Sequence, residues 1–339
     1  MDLRQPAQQT PELEAAIARA RRPVEPLRSP STGLADRLKS IRAVASQRLL
    51  STRVAVARAE RRGRAIWKQD EEVRERARAT ITAIVAGTAR AGEAEKLAIQ
   101  HVIEEQVRET FFWRPWRTPD IDPASKQRLL GAFTANRAVL LSSCHLGPFF
   151  YGAEIVHSLG HTQYSVAAPW LFQTPPPGPW GMRLSRWSEA ISARGERLVY
   201  SVGSFEVIKA LLEQGEIVKL YYDMPGGQPT QFLGKPVMLS GGSARLALQT
   251  NALVVPTRVR RVGHRVWMDV AQPLDARDFT SIEELHTTLA TAHERWILEL
   301  PATLEDPNRD GAWERGATAR AWTRPERPVN QTHNRLLAS

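Results

Sequence analysis

The chain has 339 residues, 42% of them hydrophobic and 24% charged, which is the composition of a folded globular protein and not of a disordered one. Its formal net charge of +10 and its pI near 10.2 favour anionic partners: nucleic acid, acidic lipid headgroups or an acidic carrier protein. The single cysteine, Cys144, excludes an intramolecular disulfide and a cysteine-based zinc site, and it is typical of a reducing compartment.

The sequence also bears on location. No uninterrupted apolar run approaches the length that spans a bilayer, and the N-terminal residues lack the apolar core of a signal peptide. We therefore expect a cytoplasmic protein without a membrane-spanning helix. Any contact with the inner face of the cytoplasmic membrane would then be peripheral.

Proline content divides the N-terminal third of the chain. Residues 1–33 are rich in proline, which predicts a flexible leader. Between Leu34 and Ile103, apolar residues recur at helical spacing with almost no proline or glycine, so residues 34–110 are predicted to form a basic helical region. The segment Arg37–Arg64 carries nine basic residues. It is either a solvated helix face or an amphipathic helix on an anionic membrane surface.

From about residue 111 onward, short apolar strands alternate with helical segments. This alternation predicts an α/β fold over residues 111–307, with a central, mostly parallel sheet flanked by helices. Residues 308–339 are rich in arginine and proline and are predicted to form a disordered tail. The predicted strands lie within the segments AVLL, SVAAPW, IVKLYYD, ALVVPTRVRR and HRVWMDVAQPL.

A histidine stands at the end of the first of these strands. The apolar run Ala138–Leu141 leads through two serines to Cys144 and His145, and a Gly-Pro turn then precedes a helical segment. Because α/β proteins usually carry their chemistry at the open end of the sheet, His145 is the leading candidate for a catalytic residue. Adjacent strand residues point to opposite faces, so pairing of Cys144 with His145 as a nucleophile and its base is disfavoured.

Two later stretches also carry polar groups where strands or helices end. Asp223 closes the strand segment IVKLYYD and is followed by a glycine-rich loop. Further on, Gly241, Gly242 and Ser243 open a helix, whose free N–H groups suit an oxyanion or a phosphate.

Taken in order, these stretches resemble the lysophospholipid acyltransferase superfamily, most closely its branch of lipid A late (lauroyl and myristoyl) acyltransferases. The resemblance covers roughly residues 105–305. It depends on Ser143-x-His145-x-Gly147, Asp223, the FLGKP segment before Gly241-Gly242, the strand LVVP from Leu253, and Glu294-x-Trp296-Ile297 in the last long helix.

The resemblance implies that His145 is a general base, with an acid five positions later that orients its ring. That position is Phe150, which offers neither charge nor a hydrogen-bond acceptor. Asp223 is the preferred substitute and Glu154, one helical turn further on, is the second choice. A third explanation is an acceptor that is itself a better nucleophile, such as an amine or a thiol.

The implied activity is transfer of an acyl chain from acyl-carrier protein or acyl-coenzyme A to a hydroxyl or amine of a lipid or secondary metabolite. The thioester is a co-substrate, so no cofactor and no metal are expected. The alternative is a catalytically degenerate member of this fold that acts as a lipid-binding or accessory subunit.

The chain is strongly basic but has no recognised nucleic-acid-binding motif, so no specific nucleic acid is expected. The sequence does not indicate an oligomeric state.

The residues expected to bind substrate fall into two groups. Arg183 and Arg186 are basic residues that we expect to contact an anionic headgroup or carrier phosphate. The remaining candidates surround the strand end and the later helix: Ser143, Gly147, Phe150, Gly241, Gly242 and Ser243.

Overall fold

The centre of the fold is an eight-stranded, mostly parallel sheet, so the predicted α/β class is confirmed. A computed structural model describes residues 10–28, 38, 49–114, 117–175, 179–201, 203–305 and 312–315. The strands are β1 Asp120–Ile121, β2 Val139–Ser143, β3 Gln163–Ala167, β4 Arg197–Tyr200, β5 Ile217–Tyr221, β6 Pro225–Phe232, β7 Lys235–Leu239, β8 Leu253–Val262, β9 Arg265–Val270 and β10 Leu274–Asp275.

The strand order in the main sheet is β1-β9-β8-β2-β5-β3-β4, with β10 paired to β8, whereas β6 and β7 form a separate antiparallel hairpin. Strand β2 lies in the middle and pairs in parallel with both β5 and β8. In this register Ser143 is opposite Tyr221 on one side and Thr257 on the other. The chain therefore leaves β2 and β5 at the same level of the same sheet edge.

Helices cover both faces of the sheet, and three of them form the N-terminal helical region, as predicted. The helices are α1 Pro11–Ala20, α2 Thr52–Gln69, α3 Glu71–Val85, α4 Ala94–Phe112, α5 Pro123–Phe133, α6 Gly152–Ser158, α7 Pro179–Ala193, α8 Phe205–Glu213, α9 Gly242–Thr250, α10 Ile282–Glu299 and α11 Ala312–Arg315. Within the described part of the chain, no helix combines the length and the apolar character needed to cross a bilayer.

The alternation of side chains along β2 separates two layers of the core. Leu140 packs with residues of α8, α9 and α10, whereas Leu141 packs with residues of α5 and α6 on the other face. Since all five residues of β2 are buried, the strand is sealed on both faces. His145 continues the Leu141 side of this alternation, which places it on the face covered by α5 and α6.

The structure differs from the sequence-based expectations at both ends of the chain. The predicted leader is wrong for Pro11–Ala20, which form α1 with Thr10 as its N-cap and with Ala20 buried. The predicted disordered tail is wrong for Ala312–Arg315, a helical turn whose Trp313 is fully buried. The rest of those two predictions lies mostly outside the described residues.

The β6–β7 hairpin and β4 are elements that the strand pattern missed. Strand β6 has the sequence PGGQPTQF, in which glycine and proline predict a loop. The hairpin turn at Leu233 and Gly234, both with positive φ, packs against Gly87 after α3. This contact joins the hairpin to the N-terminal helical region.

Substitution of Gly234 by alanine is expected to destabilise this junction. Gly234 has φ +74°, and a Cβ there would lie 1.9 Å from the carbonyl oxygen of Gly87. We expect Gly234→Ala to lower the free energy of unfolding by about 2–4 kcal/mol, because left-handed strain and a backbone clash add. Urea unfolding measures the difference.

The matched control is Gly227→Ala in the same hairpin, where φ is not positive and a Cβ would meet no atom within 4 Å. Equal unfolding free energies for the two variants would contradict the packing role assigned to Gly234.

Candidate active site

His145 lies two residues beyond the end of β2, and its main chain is fixed from two sides. Its backbone N–H donates to Asp223 Oδ2 at 2.9 Å, and its carbonyl oxygen accepts the Glu305 N–H at 2.8 Å. The imidazole stacks on the Tyr221 ring, with centroids 4.0 Å apart and planes at 19°, and meets the edge of Phe149 at 4.8 Å. These contacts leave the ring little freedom to rotate.

Asp223 lies two residues beyond the end of β5 and is fully buried. Its Oδ1 is 2.9 Å from His145 Nδ1, so one carboxylate binds both the ring and the backbone N–H of the histidine. The sequence-based preference for Asp223 over Glu154 as the neighbour of His145 therefore agrees with the geometry.

This contact selects one tautomer of the imidazole. A carboxylate only accepts hydrogen bonds when ionised, so Nδ1 carries the hydrogen and Nε2 carries the lone pair. Among the described residues, Nε2 has no hydrogen-bond partner, and the histidine side chain is 18% exposed. Nε2 is thus the ring nitrogen that makes no hydrogen bond within the described part of the chain.

Two opposing effects set the pKa of His145. Burial lowers the pKa of the imidazole, but attraction to Asp223 and the hydrogen bond to its carboxylate raise it, with a smaller contribution from Glu305. The net pKa lies above the ordinary value for histidine. The site therefore stabilises an imidazolium, which is the form that a histidine base adopts after it has taken a proton.

Phe150, where the resemblance predicted an acid, belongs to an aromatic cluster. Its ring lies 4.9 Å from Phe112, 5.7 Å from Phe149 and 5.1 Å from Tyr151, measured between centroids. The residue therefore supports the short helical segment after His145 by packing.

Glu154 does not contact His145, so its assignment as a substitute acid is wrong. Its buried carboxylate accepts a hydrogen bond from the Arg194 guanidinium, with Glu196 nearby. Burial raises the pKa of Glu154 to about 8, despite the opposing effect of Arg194. Arg194 ties α6 to the end of α7 through this pair.

Two of the expected substrate contacts serve the fold instead. The Ser143 hydroxyl lies 2.6 Å from Thr257 Oγ1 and is buried, so it links β2 to β8. Gly147 has φ +61° and its N–H donates to Thr303 O at 2.9 Å. A Cβ at Gly147 would lie 2.6 Å from Val259 O, so glycine is required there for close backbone packing.

The two predicted basic contacts differ in their surroundings. Arg183 is only 7% exposed, forms an ion pair with Glu109 and lies 4.7 Å from the centroid of the Phe112 ring. The expectation that Arg183 binds an anionic headgroup is therefore wrong, because its charge is used inside the fold. Arg186 is exposed and 3.2 Å from Glu189, so it remains at the surface.

The loop before α9 is hydrogen-bonded to the residue that follows Asp223. The Ser240 N–H donates to Met224 O at 2.8 Å, and Met224 is the residue after Asp223. Gly241 and Gly242 come immediately after Ser240 in the chain. Ser243 itself is buried, whereas the two glycines are half-buried. An anion-binding role for this helix N-terminus remains a prediction.

Lys219 and the histidines of α10 are buried polar residues that sequence analysis did not select. Lys219 Nζ donates to Phe149 O at 3.1 Å and lies 4.9 Å from the Tyr221 ring centroid, and burial lowers its pKa to about 8. The sequence signal that could have identified Lys219 is a lysine in the middle of an apolar strand.

His286 and His293 lie behind β2 and β5, on the opposite face of the sheet from His145. His293 Nε2 is 2.8 Å from Ser142 Oγ, and His286 Nε2 is 2.8 Å from Thr230 Oγ1. Burial lowers the pKa of each to about 4, so both are neutral near pH 7 and act as hydrogen-bonding core residues.

Cys144 precedes His145 in the sequence, and its side chain is buried in the hydrophobic core. Burial raises the pKa of its thiol well above the ordinary value, with a further contribution from Asp223. The thiolate form that a nucleophile requires is therefore disfavoured.

A small cavity lies beside the Gly147–Pro148 turn. Its volume of about 10 Å³ holds at most one water molecule and excludes an acyl chain. The lining residues are Glu104, Val107, Arg108, Phe111, Gly147, Pro148, Arg261 and Thr303.

Comparison with known proteins finds a likeness to solved structures alone. No protein-family model matches the chain, and no curated protein sequence matches it. The chain is similar to the crystal structure of the 1-acyl-sn-glycerophosphate (LPA) acyltransferase, PlsC, from Thermotoga maritima, with a TM-score of 0.37 and 15% sequence identity. That alignment covers 80% of this chain and 99% of the other. At this TM-score the likeness supports no inference about function.

Removal of the Asp223 charge is expected to lower the pKa of His145. In Asp223→Asn the attraction that raises this pKa is lost, whereas the burial that lowers it remains. We expect an NMR titration of the His145 ring to show a pKa below the wild-type value. Glu154→Gln is the control and should leave the His145 pKa unchanged, because Glu154 contacts Arg194.

The same pair makes stability depend on pH. Because the pKa of His145 is raised in the folded protein, its stabilisation is full below the ordinary histidine value of about 6.5 and is lost as pH rises through the folded-state value. The difference in unfolding free energy between wild type and Asp223→Asn should therefore shrink above about pH 6.5. A difference that grows with pH would contradict this assignment.

Proposed function

We propose that this protein is an acyltransferase that moves an acyl chain from an acyl thioester to a hydroxyl or amine of a lipid or secondary metabolite. The observation that carries the proposal is the His145–Asp223 contact at the open end of a parallel sheet, with Nε2 left free. A histidine that is oriented by a buried carboxylate and open on its other side is the arrangement of a general base.

In the proposed reaction, His145 Nε2 takes the proton of the acceptor hydroxyl as its oxygen attacks the thioester carbonyl carbon. The tetrahedral intermediate collapses, the C–S bond breaks, and the leaving thiolate takes the proton from the imidazolium. Asp223 offsets the positive charge that develops on the ring between these steps. The raised pKa of His145 agrees with this role.

The oxyanion of the intermediate needs hydrogen-bond donors. We assign this function to backbone N–H groups at the start of α9, near Gly241, Gly242 and Ser243, because this loop is tied to Met224 directly after Asp223. Main-chain donors at a helix start need no reorganisation when the charge develops.

A lipid-binding or accessory subunit is the second candidate. It was suggested by the absence of an acid at position 150, where Phe150 packs among aromatic rings. Because Asp223 supplies a carboxylate to the same imidazole from β5, that absence no longer argues against catalysis. We therefore favour the enzyme.

The proposed donor is acyl-carrier protein or acyl-coenzyme A, and the proposed location is peripheral, on an anionic membrane. Helix α2 supports the membrane contact: its exposed basic residues include Arg58, Arg61 and Arg64. The single acid of this helix, Glu60, lies 3.2 Å from Arg261 and is used inside the fold. The outer face of α2 is thus basic.

Loss of His145 or of the Asp223 charge is expected to abolish most of the transfer. Removal of a general base or of its orienting acid costs about 10²–10⁴ in rate. His145→Ala and Asp223→Asn should each reduce kcat by such a factor in assays with acyl-carrier protein and acyl-coenzyme A donors. Cys144→Ala should keep wild-type activity, because the thiol is buried and protonated. Equal rates for wild type and His145→Ala would reject the enzyme.

Membrane binding is expected to depend on the basic face of α2. The triple variant R58Q/R61Q/R64Q should bind phosphatidylglycerol vesicles about 100-fold more weakly, since each basic residue at an anionic surface contributes about 1 kcal/mol. Vesicle sedimentation at low salt measures this.

The control R265Q/R277Q/R295Q removes the same number of charges from exposed positions on other elements. Equal weakening by both triple variants would mean that net charge alone drives binding, contrary to the role given to α2.

A further inference from the structure

Helix α11 lies against the β6–β7 hairpin and brings one side chain directly to the residue that orients His145. Trp313 is fully buried, and its indole Nε1–H donates to the main-chain oxygen of Asp223 at 2.8 Å. The two residues are 90 positions apart in the sequence. This contact joins a C-terminal segment to the aspartate of the site.

Two further contacts hold α11 in place. The Trp313 ring meets Phe232 of β6 edge-on, with centroids 5.7 Å apart. Lys235 Nζ of β7 lies 2.7 Å from Glu314 Oε1. The tryptophan therefore enters the core with its polar edge on Asp223 and its apolar faces packed.

The Asp223 backbone is the part of the site that most needs such a support. Strand β5 ends at Tyr221 and β6 begins at Pro225, so Asp223 lies in the short connection between two sheets. Its side chain must satisfy two donors at once, the Nδ1–H and the backbone N–H of His145. A shift of the main chain at Asp223 would move both carboxylate oxygens away from these donors.

We propose that Trp313 is a positioning residue: its indole fixes the main chain of Asp223 so that the carboxylate reaches His145. This inference deepens the proposed function and depends on it for its effect on catalysis. It also implies that the segment Ala312–Arg315 must be packed against the hairpin for the site to be active.

The charges that act on His145 are Asp223, Glu305 and Lys219, and Tyr221 lies against its ring. Asp223 also acts on Cys144, Tyr221 and His293. Substitution of Trp313 by phenylalanine changes none of these groups. A change in the titration of His145 would then report the position of Asp223 and not a change in charge.

The test is Trp313→Phe, which keeps an aromatic ring against Phe232 and removes the N–H donor. We expect the His145 pKa, measured by NMR, to fall by about half a pH unit, the scale of one weakened hydrogen bond. We expect kcat to fall about threefold, the factor that half a pKa unit represents, with little change in KM, since the imidazolium loses part of its stabilisation.

Two control variants separate positioning from general destabilisation. Leu129→Ala removes a fully buried side chain of α5 that packs in the other layer of the core. Glu314→Gln weakens the Lys235 contact and keeps the indole donor. Both should keep the wild-type pKa of His145. A wild-type pKa and kcat in Trp313→Phe, or an equal pKa drop in Leu129→Ala, would overturn the proposal.

A measurement on the unmodified protein covers the case in which Trp313→Phe does not fold. The indole N–H resonance of Trp313 should shift with pH along the same curve as His145, because both residues bind Asp223. An indole resonance that does not follow this curve would contradict the coupling.

If the proposed function is wrong, the transfer rates and the NMR titrations give different outcomes. If wild type and His145→Ala transfer acyl groups at the same rate, the enzyme is rejected, whereas the two NMR titrations still decide whether Trp313 positions Asp223.

Discussion

The site depends on one hydrogen bond, from His145 Nδ1 to Asp223 Oδ1, and that bond follows from the pairing of β2 with β5. Ser143 and Tyr221 are opposite each other in this parallel pair. The residues two positions further on, His145 and Asp223, therefore emerge together on the same side of the sheet. A register slip of one residue would turn one of them to the opposite face.

The surroundings of this bond explain how a buried carboxylate is tolerated. A buried charge is costly unless hydrogen bonds compensate it, and Asp223 accepts from both the ring and the backbone of His145. Aromatic rings fill the space next to the imidazole, with Tyr221 and Phe149 in contact with it. Phe150 extends this cluster. The carboxylate that contacts the histidine follows a different strand, β5.

Local patterns in the sequence predicted the parallel sheet and His145 at a strand end, and Asp223 was preferred to Glu154 as its neighbour without excluding Glu154. They failed for contacts made across the fold. The glycines and prolines of β6 obscured the hairpin, and nothing near Trp313 indicates that it packs in the core 90 positions from its partner. Ser143 and Arg183 were misassigned because a sequence does not reveal that they contact Thr257 and Glu109 inside the fold.

The most direct test of the central claim is the protonation state of each ring nitrogen of His145. At a pH above the raised pKa of this histidine, ¹⁵N chemical shifts distinguish a protonated nitrogen from one with a free lone pair. With Asp223 on Nδ1, the account predicts a protonated Nδ1 and an unprotonated Nε2. The opposite tautomer, with hydrogen on Nε2, would contradict it, because that ring could not act as a base toward an acceptor.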